Sequence, residues 1–233
     1  MSQYHQSIQK GFFITFEGIE GSGKTTQAEK LYRTLLKRGY PTLFTREPGG
    51  TEISEKIRAV LLDRAHTEMA SWTELFLYLA SRAQLLHQVI LPSLKEGKIV
   101  LSDRFSDSTL AYQGGGRGLD RKKIKSLNAL YTEGREPDLT FLFDIPPEEG
   151  IFRATHRRGN PNRASQKDRI ESEKETFFRK VREEYRRIAG EDPGRVRVIN
   201  GRKKEEEIEE EVLRIVEDRL EKLQISPLSG RKR

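Results

Sequence analysis

Cysteine is absent from the 233 residues. That excludes disulfides, thiolate zinc sites and a cysteine nucleophile. Histidine is scarce: His5, His66, His87 and His156 are the only four, and none stands in a metal-ligand spacing such as H-E-x-x-H. There is a single Trp, and hydrophobic residues make up 34% of the chain against 34% charged, so the folded surface must be dense in charge. No apolar run approaches the ~20 residues that a membrane helix needs. Residues 1–10 are polar and lack the apolar centre of an export signal. These absences predict a cytoplasmic protein with no membrane partner. Internal repeats and linker-like stretches are also missing, so residues 1–10 read as a flexible arm, 11–225 as one domain and 226–233 as a basic tail. The formal net charge of +7 suits an anionic ligand.

Short β-rich runs alternate with longer helical patterns. The runs are Phe12-Phe13-Ile14-Thr15-Phe16, Thr42-Leu43-Phe44-Thr45, Ile99-Val100-Leu101, Leu139-Thr140-Phe141-Leu142-Phe143 and Val196-Arg197-Val198-Ile199. Near-continuous apolar strands separated by helices indicate a parallel sheet covered on both faces. The predicted fold is therefore α/β, a three-layer αβα arrangement around a parallel five-stranded sheet. Residues 73–94 are apolar at Leu75, Phe76, Leu79, Leu86, Val89 and Ile90, and also at Leu77 and Leu85, which predicts a helix buried on more than one face. Phe177, Val181, Tyr185 and Ile188 recur at helical spacing, as do Ile208, Val212, Ile215 and Leu220. The acidic run from Glu205 to Glu211 suits the solvated face near a helix N-terminus.

Gly18-Ile19-Glu20-Gly21-Ser22-Gly23-Lys24-Thr25 matches G-x-x-x-x-G-K-[ST] in the required setting, after a strand and before an amphipathic helix carrying Leu31, Leu35 and Leu36. Glycines at 18, 21 and 23 let the backbone N–H groups turn toward phosphate oxygens, and the helix start adds its positive dipole end. Lys24 is placed to reach the β and γ phosphates, and Thr25 to offer a hydroxyl to Mg²⁺. The predicted ATP site is Gly18, Ile19, Glu20, Gly21, Ser22, Gly23, Lys24, Thr25 and Thr26. A second apolar strand ends in Ser102-Asp103-Arg104, which puts an acid near Mg²⁺ and a cation at the same sheet edge. No N-K-x-D motif is present, against a GTPase switch. A nucleic-acid-remodelling ATPase would want an acidic pair at the end of this strand, where Ser102-Asp103 supplies one acid. A deoxynucleoside kinase would need a carboxylate base but no arginine grip on a second phosphate.

The phosphate loop is followed by Arg46-Glu47-Pro48-Gly49-Gly50-Thr51 and by Phe76 through Ser81-Arg82-Ala83-Gln84. Next come Asp103-Arg104-Phe105-Ser106-Asp107-Ser108-Thr109-Leu110-Ala111-Tyr112-Gln113-Gly114-Gly115, and last Asp168-Arg169-Ile170-Glu171. In this order, from about Phe12 to Leu223, the chain resembles the bacterial thymidylate kinases, phosphate-loop nucleoside monophosphate kinases. The resemblance implies phosphoryl transfer from ATP to dTMP with Mg²⁺, giving dTDP, and a homodimer; the alternative is another nucleoside monophosphate or deoxynucleoside kinase. It implies that Arg46 and Arg104 grip the dTMP phosphate, for which planar forks are suited. Phe76 is similar to the aromatic that stacks on thymine, although on spacing alone it reads as core. Arg82 would donate to a thymine carbonyl, and Ser108, Thr109, Tyr112 and Gln113 would line base and sugar. Tyr112 against C2′ would exclude ribose. Glu20 would accept from the 3′-hydroxyl.

The resemblance also implies a mobile lid, about 153–171. Between Arg153 and Arg169 stand five Arg and one Lys against Asp168 alone, and Gly159-Asn160-Pro161-Asn162 breaks any helix. No aromatic is interleaved for base stacking, so a nucleic-acid partner is not expected. Some relatives carry an arginine in the phosphate loop where this chain has Gly21, so the catalytic cation is expected from the lid. Arg158 is the first candidate, Arg163 the second, with Arg153 and Arg157 behind. Three departures from the pattern stand out: eight residues separate Arg158-Gly159 from Asp168, Asn200-Gly201 replaces an acid and small-residue pair, and Ser81 replaces an acid.

Overall fold

A computed structural model describes residues 11–132, 134–156 and 168–228. Five strands form one sheet: β1 (Phe12–Glu17), β2 (Thr42–Arg46), β3 (Ile99–Asp103), β4 (Leu139–Asp144) and β5 (Val196–Asn200), in the order β2-β3-β1-β4-β5. Every pairing is parallel. The described helices are α1 (Lys24–Lys37), α2 (Glu52–Leu62), α3 (Ser71–Leu85), α4 (Leu91–Lys95), α5 (Ser106–Thr109), α6 (Arg121–Tyr131), α7 (Pro147–Thr155), α8 (Glu175–Glu191) and α9 (Glu205–Lys222). None is long and apolar enough to cross a membrane.

Side chains alternate across the pleat. Phe12, Ile14 and Phe16 of β1, with Ile99, Leu101, Leu139, Phe141 and Phe143, pack on Ala28, Leu31 and Leu35 of α1 and on Ile208, Val212, Val216 and Leu220 of α9. Phe13 and Val100 face the other way, onto Leu85, Leu86 and Ile90. Leu142 and Val196 pack there on Val181, Tyr185 and Ile188 of α8. The three layers follow directly. In α9 the buried row is 208, 212, 216 and 220, so Val216 rather than Ile215 completes it.

Each apolar run is a strand, and each strand continues beyond its run. The extra residues, Glu17, Arg46, Ser102, Asp103, Asp144 and Asn200, are all polar. The ladder carries them because the backbone pairs whatever the side chain: Phe16 pairs with Asp103 and Asp103 with Arg46. A row of polar groups therefore stands along the C-terminal edge of the sheet, where open α/β sheets bind ligands.

Residues 73–94 are helical but not one regular helix. α3 passes through a widened turn, Leu86–Ile90, into α4, and the Leu91 N–H reaches back to the Leu86 carbonyl. Pro92 has no N–H for the ordinary bond, and a wider turn absorbs such a gap. Leu75, Leu79 and Leu85 are buried, but the described residues leave the second apolar face of α3 uncovered. Trp72 and Phe76 are exposed there, as are Ile53 and Val60 of α2, the helix packed beside it.

The carboxyls of Glu17, Glu47 and Asp103 at the polar edge are buried. Glu47, just after β2, accepts a hydrogen bond of 2.8 Å from Arg82 Nε on α3, while its Oε1 has no partner. Burial outweighs the arginine and pushes its pKa from 4.5 up to about 7. The folded protein thus keeps a proton that the unfolded chain releases, and ionising Glu47 costs stability between about 4.5 and about 7. That cost is complete above the folded pKa. In Glu47→Gln it is absent. Measured by urea denaturation, the variant should compare better with wild type at about pH 8 than at about pH 5, by on the order of 1–3 kcal/mol. An equal difference at both pH values would mean that Glu47 is ionised throughout.

Candidate active site

The loop between β1 and α1 turns where the glycines predicted it would. Gly18, Gly21 and Gly23 all have positive φ, at 142°, 72° and 92°. A Cβ at Gly18 would stand 2.6 Å from the Phe143 carbonyl oxygen, and one at Gly21 would collide with the carbonyl of Gly150 on α7. No side chain fits at position 21, so an arginine there is sterically barred. Ile19 turns its side chain into the core beside Leu142 and Ile145, leaving its carbonyl to accept from Lys24 Nζ at 3.3 Å. Lys24 is buried. Burial and the neighbouring Arg104 lower its pKa, as expected of a cation placed to receive an anion. Ser22 Oγ is buried without a partner.

Two cavities meet at Lys24. One, about 240 Å³, is walled by Gly21, Gly23, Thr26, Arg153 and Ala154. The other, about 200 Å³, opens among the ends of β2 and β3, α3 and the segment after β3. Glu20, Lys24, Thr25 and Glu171 line both. At this junction Thr25 Oγ1 donates to Asp103 Oδ2 at 2.5 Å, and Asp103 Oδ1 is buried without a partner. A hydroxyl beside a carboxylate with a free oxygen fits Mg²⁺, which takes one or two protein oxygens and completes its shell with water and phosphate. The described residues hold no cluster of three or more His, Cys, Asp or Glu suited to a metal.

Arg104 anchors the second cavity. Its φ of 75° is the left-handed region, which is strained for a residue with a side chain. Its N–H donates to the Phe16 carbonyl at 3.0 Å. Nη1 donates to Gly18 O, Ser108 Oγ and Tyr185 OH at 3.0, 3.2 and 3.3 Å. Nη2 donates to Glu20 Oε1 at 2.6 Å and Tyr112 OH at 3.1 Å. Burial opposes the charge, but Tyr112, Glu20, Tyr185 and Asp103 outweigh it and hold the guanidinium protonated. Behind it Glu17 accepts from Phe105 N, Ser108 Oγ and Tyr185 OH at 2.7, 2.5 and 2.8 Å. Burial, and then Asp107, raises Glu17 to about 7. Sequence reasoning missed Glu17 and Tyr185. They lie 168 positions apart and carry no local signal of a shared role.

The remaining predicted residues divide. Arg46, Arg82, Ser108, Thr109, Tyr112 and Gln113 line the second cavity, with Glu20 and Arg104. Arg46 sits at the rim, its Nη2 donating to both oxygens of Glu55 at 2.9 and 3.0 Å. Arg82 is buried, donating to Glu47, to Asn128 Oδ1 and to the Phe105 carbonyl at 2.8, 3.0 and 2.9 Å. Thr109 Oγ1 is buried with no partner. Tyr112 OH donates to Glu20 Oε2 at 2.7 Å. Gln113 Nε2 donates to Glu74 Oε1 at 2.8 Å.

Phe76 is the correction. It is 48% exposed, tilted against Trp72 with ring centres 6.1 Å apart, and outside the cavity. Tyr78 lines the cavity instead. The reason is helical phase: Tyr78 precedes Arg82 by four residues and shares its face, whereas Phe76 precedes it by six and does not. That spacing was readable in the sequence. Arg58, Asp168, Ile170 and Glu171 complete the wall, and Arg58 Nη1 donates to the Pro48 carbonyl at 2.8 Å. Ser81, where an acid was expected, is fully buried and accepts from Gly49 N at 3.3 Å.

Arg157, Arg158 and Arg163 lie outside the described residues. Arg153, at the end of α7, donates to the Gly201 carbonyl at 2.7 Å and to Glu149 at 2.6 Å.

Comparison with known proteins gives one family. The family model described as thymidylate kinase matches residues 16–212. A curated thymidylate kinase of Nitratidesulfovibrio vulgaris is 46% identical over 204 residues, covering 88% of this chain and 95% of the relative. One of Pelobacter propionicus is 48% identical over 211 residues, covering 90% and 96%. The crystal structure of thymidylate kinase from Ehrlichia chaffeensis superposes with a TM-score of 0.71 at 34% identity, over 89% of this chain and 99% of that one. Matched along most of its length by the family model, by curated relatives and by a solved structure, this chain belongs to the thymidylate kinase family.

Proposed function

We propose that the chain transfers the γ-phosphoryl group of ATP to the phosphate of dTMP, releasing ADP and dTDP. The observation that carries this reading is the pair of adjoining cavities that share Glu20, Lys24, Thr25 and Glu171. One is walled by the phosphate loop and suits the donor. The other suits a nucleotide whose phosphate meets Arg104 and Arg46. The acceptor oxygen is already anionic, so no strong base is required, and the chemistry rests on position and positive charge. Lys24 reaches the β and γ phosphates. Thr25 and Asp103 would hold Mg²⁺, which supplies further charge to the same phosphates. Arg104 and Arg46 fork onto the dTMP phosphate.

The cavity also supports the base. Tyr78 offers a flat face, and Arg82 and the unpaired Thr109 hydroxyl offer donors for thymine carbonyls. Gln113 spends its amide nitrogen on Glu74, so the amide oxygen is left to accept from thymine N3–H. Cytosine, with a bare N3 and an exocyclic amine, would oppose the same groups. Tyr112, fixed between Glu20 and Arg104, serves as the block to a 2′-hydroxyl. The catalytic lid cation is one of Arg153, Arg157, Arg158 and Arg163, with Arg158 first. That reading is supported by Gly21, where no side chain fits. A homodimer joined through α2 and α3 would cover Ile53, Val60, Trp72 and Phe76, which the described residues leave exposed.

ADP release across dTMP, dUMP, UMP, dCMP, AMP and thymidine tests the reading. dTMP should be turned over best and thymidine, which brings no phosphate to Arg104, not at all; a preference for thymidine would overturn it. Lys24→Ala, with an unchanged circular dichroism spectrum, should lower kcat by more than about tenfold. Arg104→Ala should weaken dTMP far more than ATP, since each charged hydrogen bond contributes about 1.5–3 kcal/mol. Equal weakening of both in titration calorimetry would count against Arg104 as the acceptor's anchor.

A further inference from the structure

Glu74 lies on α3, one turn before Tyr78, and does not line the cavity. It is 1% exposed, and its two oxygens serve three side chains, two from the helical segment after β3 and one from the segment before α8. Oε1 accepts from Gln113 Nε2 at 2.8 Å and from Arg117 Nε at 3.0 Å. Oε2 accepts from Arg117 Nη2 at 3.0 Å and is paired with Arg169 Nη2 at 2.7 Å. Arg117 is itself held by Glu173 at 2.5 Å and lies over the Phe177 ring at 4.7 Å. Arg169 Nε donates to the Leu61 carbonyl at 2.9 Å. Burial opposes ionisation of Glu74, but Arg117, Gln113 and Arg169 outweigh it, and its pKa is lowered. The carboxylate is thus a pure acceptor in a fixed frame.

An amide can present either end, and its two ends are nearly equal in shape. What decides the end presented is the partner behind it. Behind Gln113 stands a carboxylate with no proton to give, so only the amide nitrogen can face it. We propose that Glu74 is a positioning residue for base selection: by accepting only, it forbids the flipped Gln113 amide and keeps the oxygen turned to the base. This rests on the reading of Gln113 given above. In Glu74→Gln the replacement amide would keep its oxygen at the Oε2 position, where Arg117 Nη2 and Arg169 Nη2 converge, and turn its nitrogen to Gln113, giving up the single Arg117 Nε contact there rather than two. Gln113 would then flip and offer an N–H to the cavity, which suits a base with a bare N3.

The test is a double-mutant cycle read as a ratio. dTMP and 5-methyl-dCMP differ only along the N3–C4 edge of the base, so the ratio of their kcat/KM values, with Kd by calorimetry, reports that edge. A merely structural loss lowers both and leaves the ratio alone. Glu74→Gln should lower the preference for dTMP by about tenfold or more, the equivalent of a hydrogen bond turned wrong. In a Gln113→Ala background the same change should leave the ratio within about twofold. If Gln113→Ala alone does not move the ratio, the reading of Gln113 is wrong. If it does, but Glu74→Gln leaves the ratio unchanged or shifts it equally in both backgrounds, Glu74 does not act through Gln113 and the proposal falls. Glu74→Asp, which keeps the charge but withdraws it from Gln113, goes through the same cycle with the same expectation, so a Glu74→Gln protein that fails to fold does not protect the proposal.

Discussion

Arg104 cannot be considered apart from the acids around it. Its guanidinium is kept largely out of water and yet remains charged, and an isolated buried charge is too costly to sustain. The chain solves this with Glu20 in direct contact and with Tyr112, Tyr185 and Ser108 accepting from the same fork. Glu17 stands behind and fixes Ser108 and Tyr185 in turn. The backbone at Arg104 is bent into the left-handed region to aim the side chain. Such strain persists only where the surroundings over-determine it. Here they do, because the adjoining N–H groups are bound to Phe16 and Glu17 on β1.

The same constraint explains why the polar strand ends matter more than the apolar strands. Glu17, Arg46 and Asp103 stand on three adjacent strands held in parallel register, so their relative positions are set by the hydrogen-bond ladder. A rigid sheet can hold like and opposite charges at chosen separations, which is what preorganised electrostatic stabilisation requires. The apolar rows beneath are what keep that edge from moving.

α3 shows how one helix divides its labour by phase. Glu74, Tyr78 and Arg82 succeed one another at four-residue steps and form an inward polar row: a buried hub, a flat ring in the cavity, and a buried fork. Trp72 and Phe76 succeed one another at the same step on the opposite side, and the described residues leave them uncovered. The row has no apolar signature, since none of its three members is a core residue by type. A search guided by hydrophobic periodicity therefore finds Leu75 and Leu79 and passes over it.

What could be read from residues alone is what depends on short spans. The phosphate loop was legible because its spacing is local and its glycines answer a local need for positive φ. The five strands were legible because burial on both faces demands continuous apolar runs. Asp103 could be placed at the C-terminal edge of the sheet because it ends such a run. The sequence by itself thus determined the layered α/β fold, the glycine-rich turn between β1 and α1 and the polar edge at the strand ends. Tertiary structure alone decided which residues meet there from afar: Glu17 with Tyr185, and Glu74 with Arg117 and Arg169. Those choices depend on contacts between distant segments. They are set when the layers pack, and no neighbouring residue announces them.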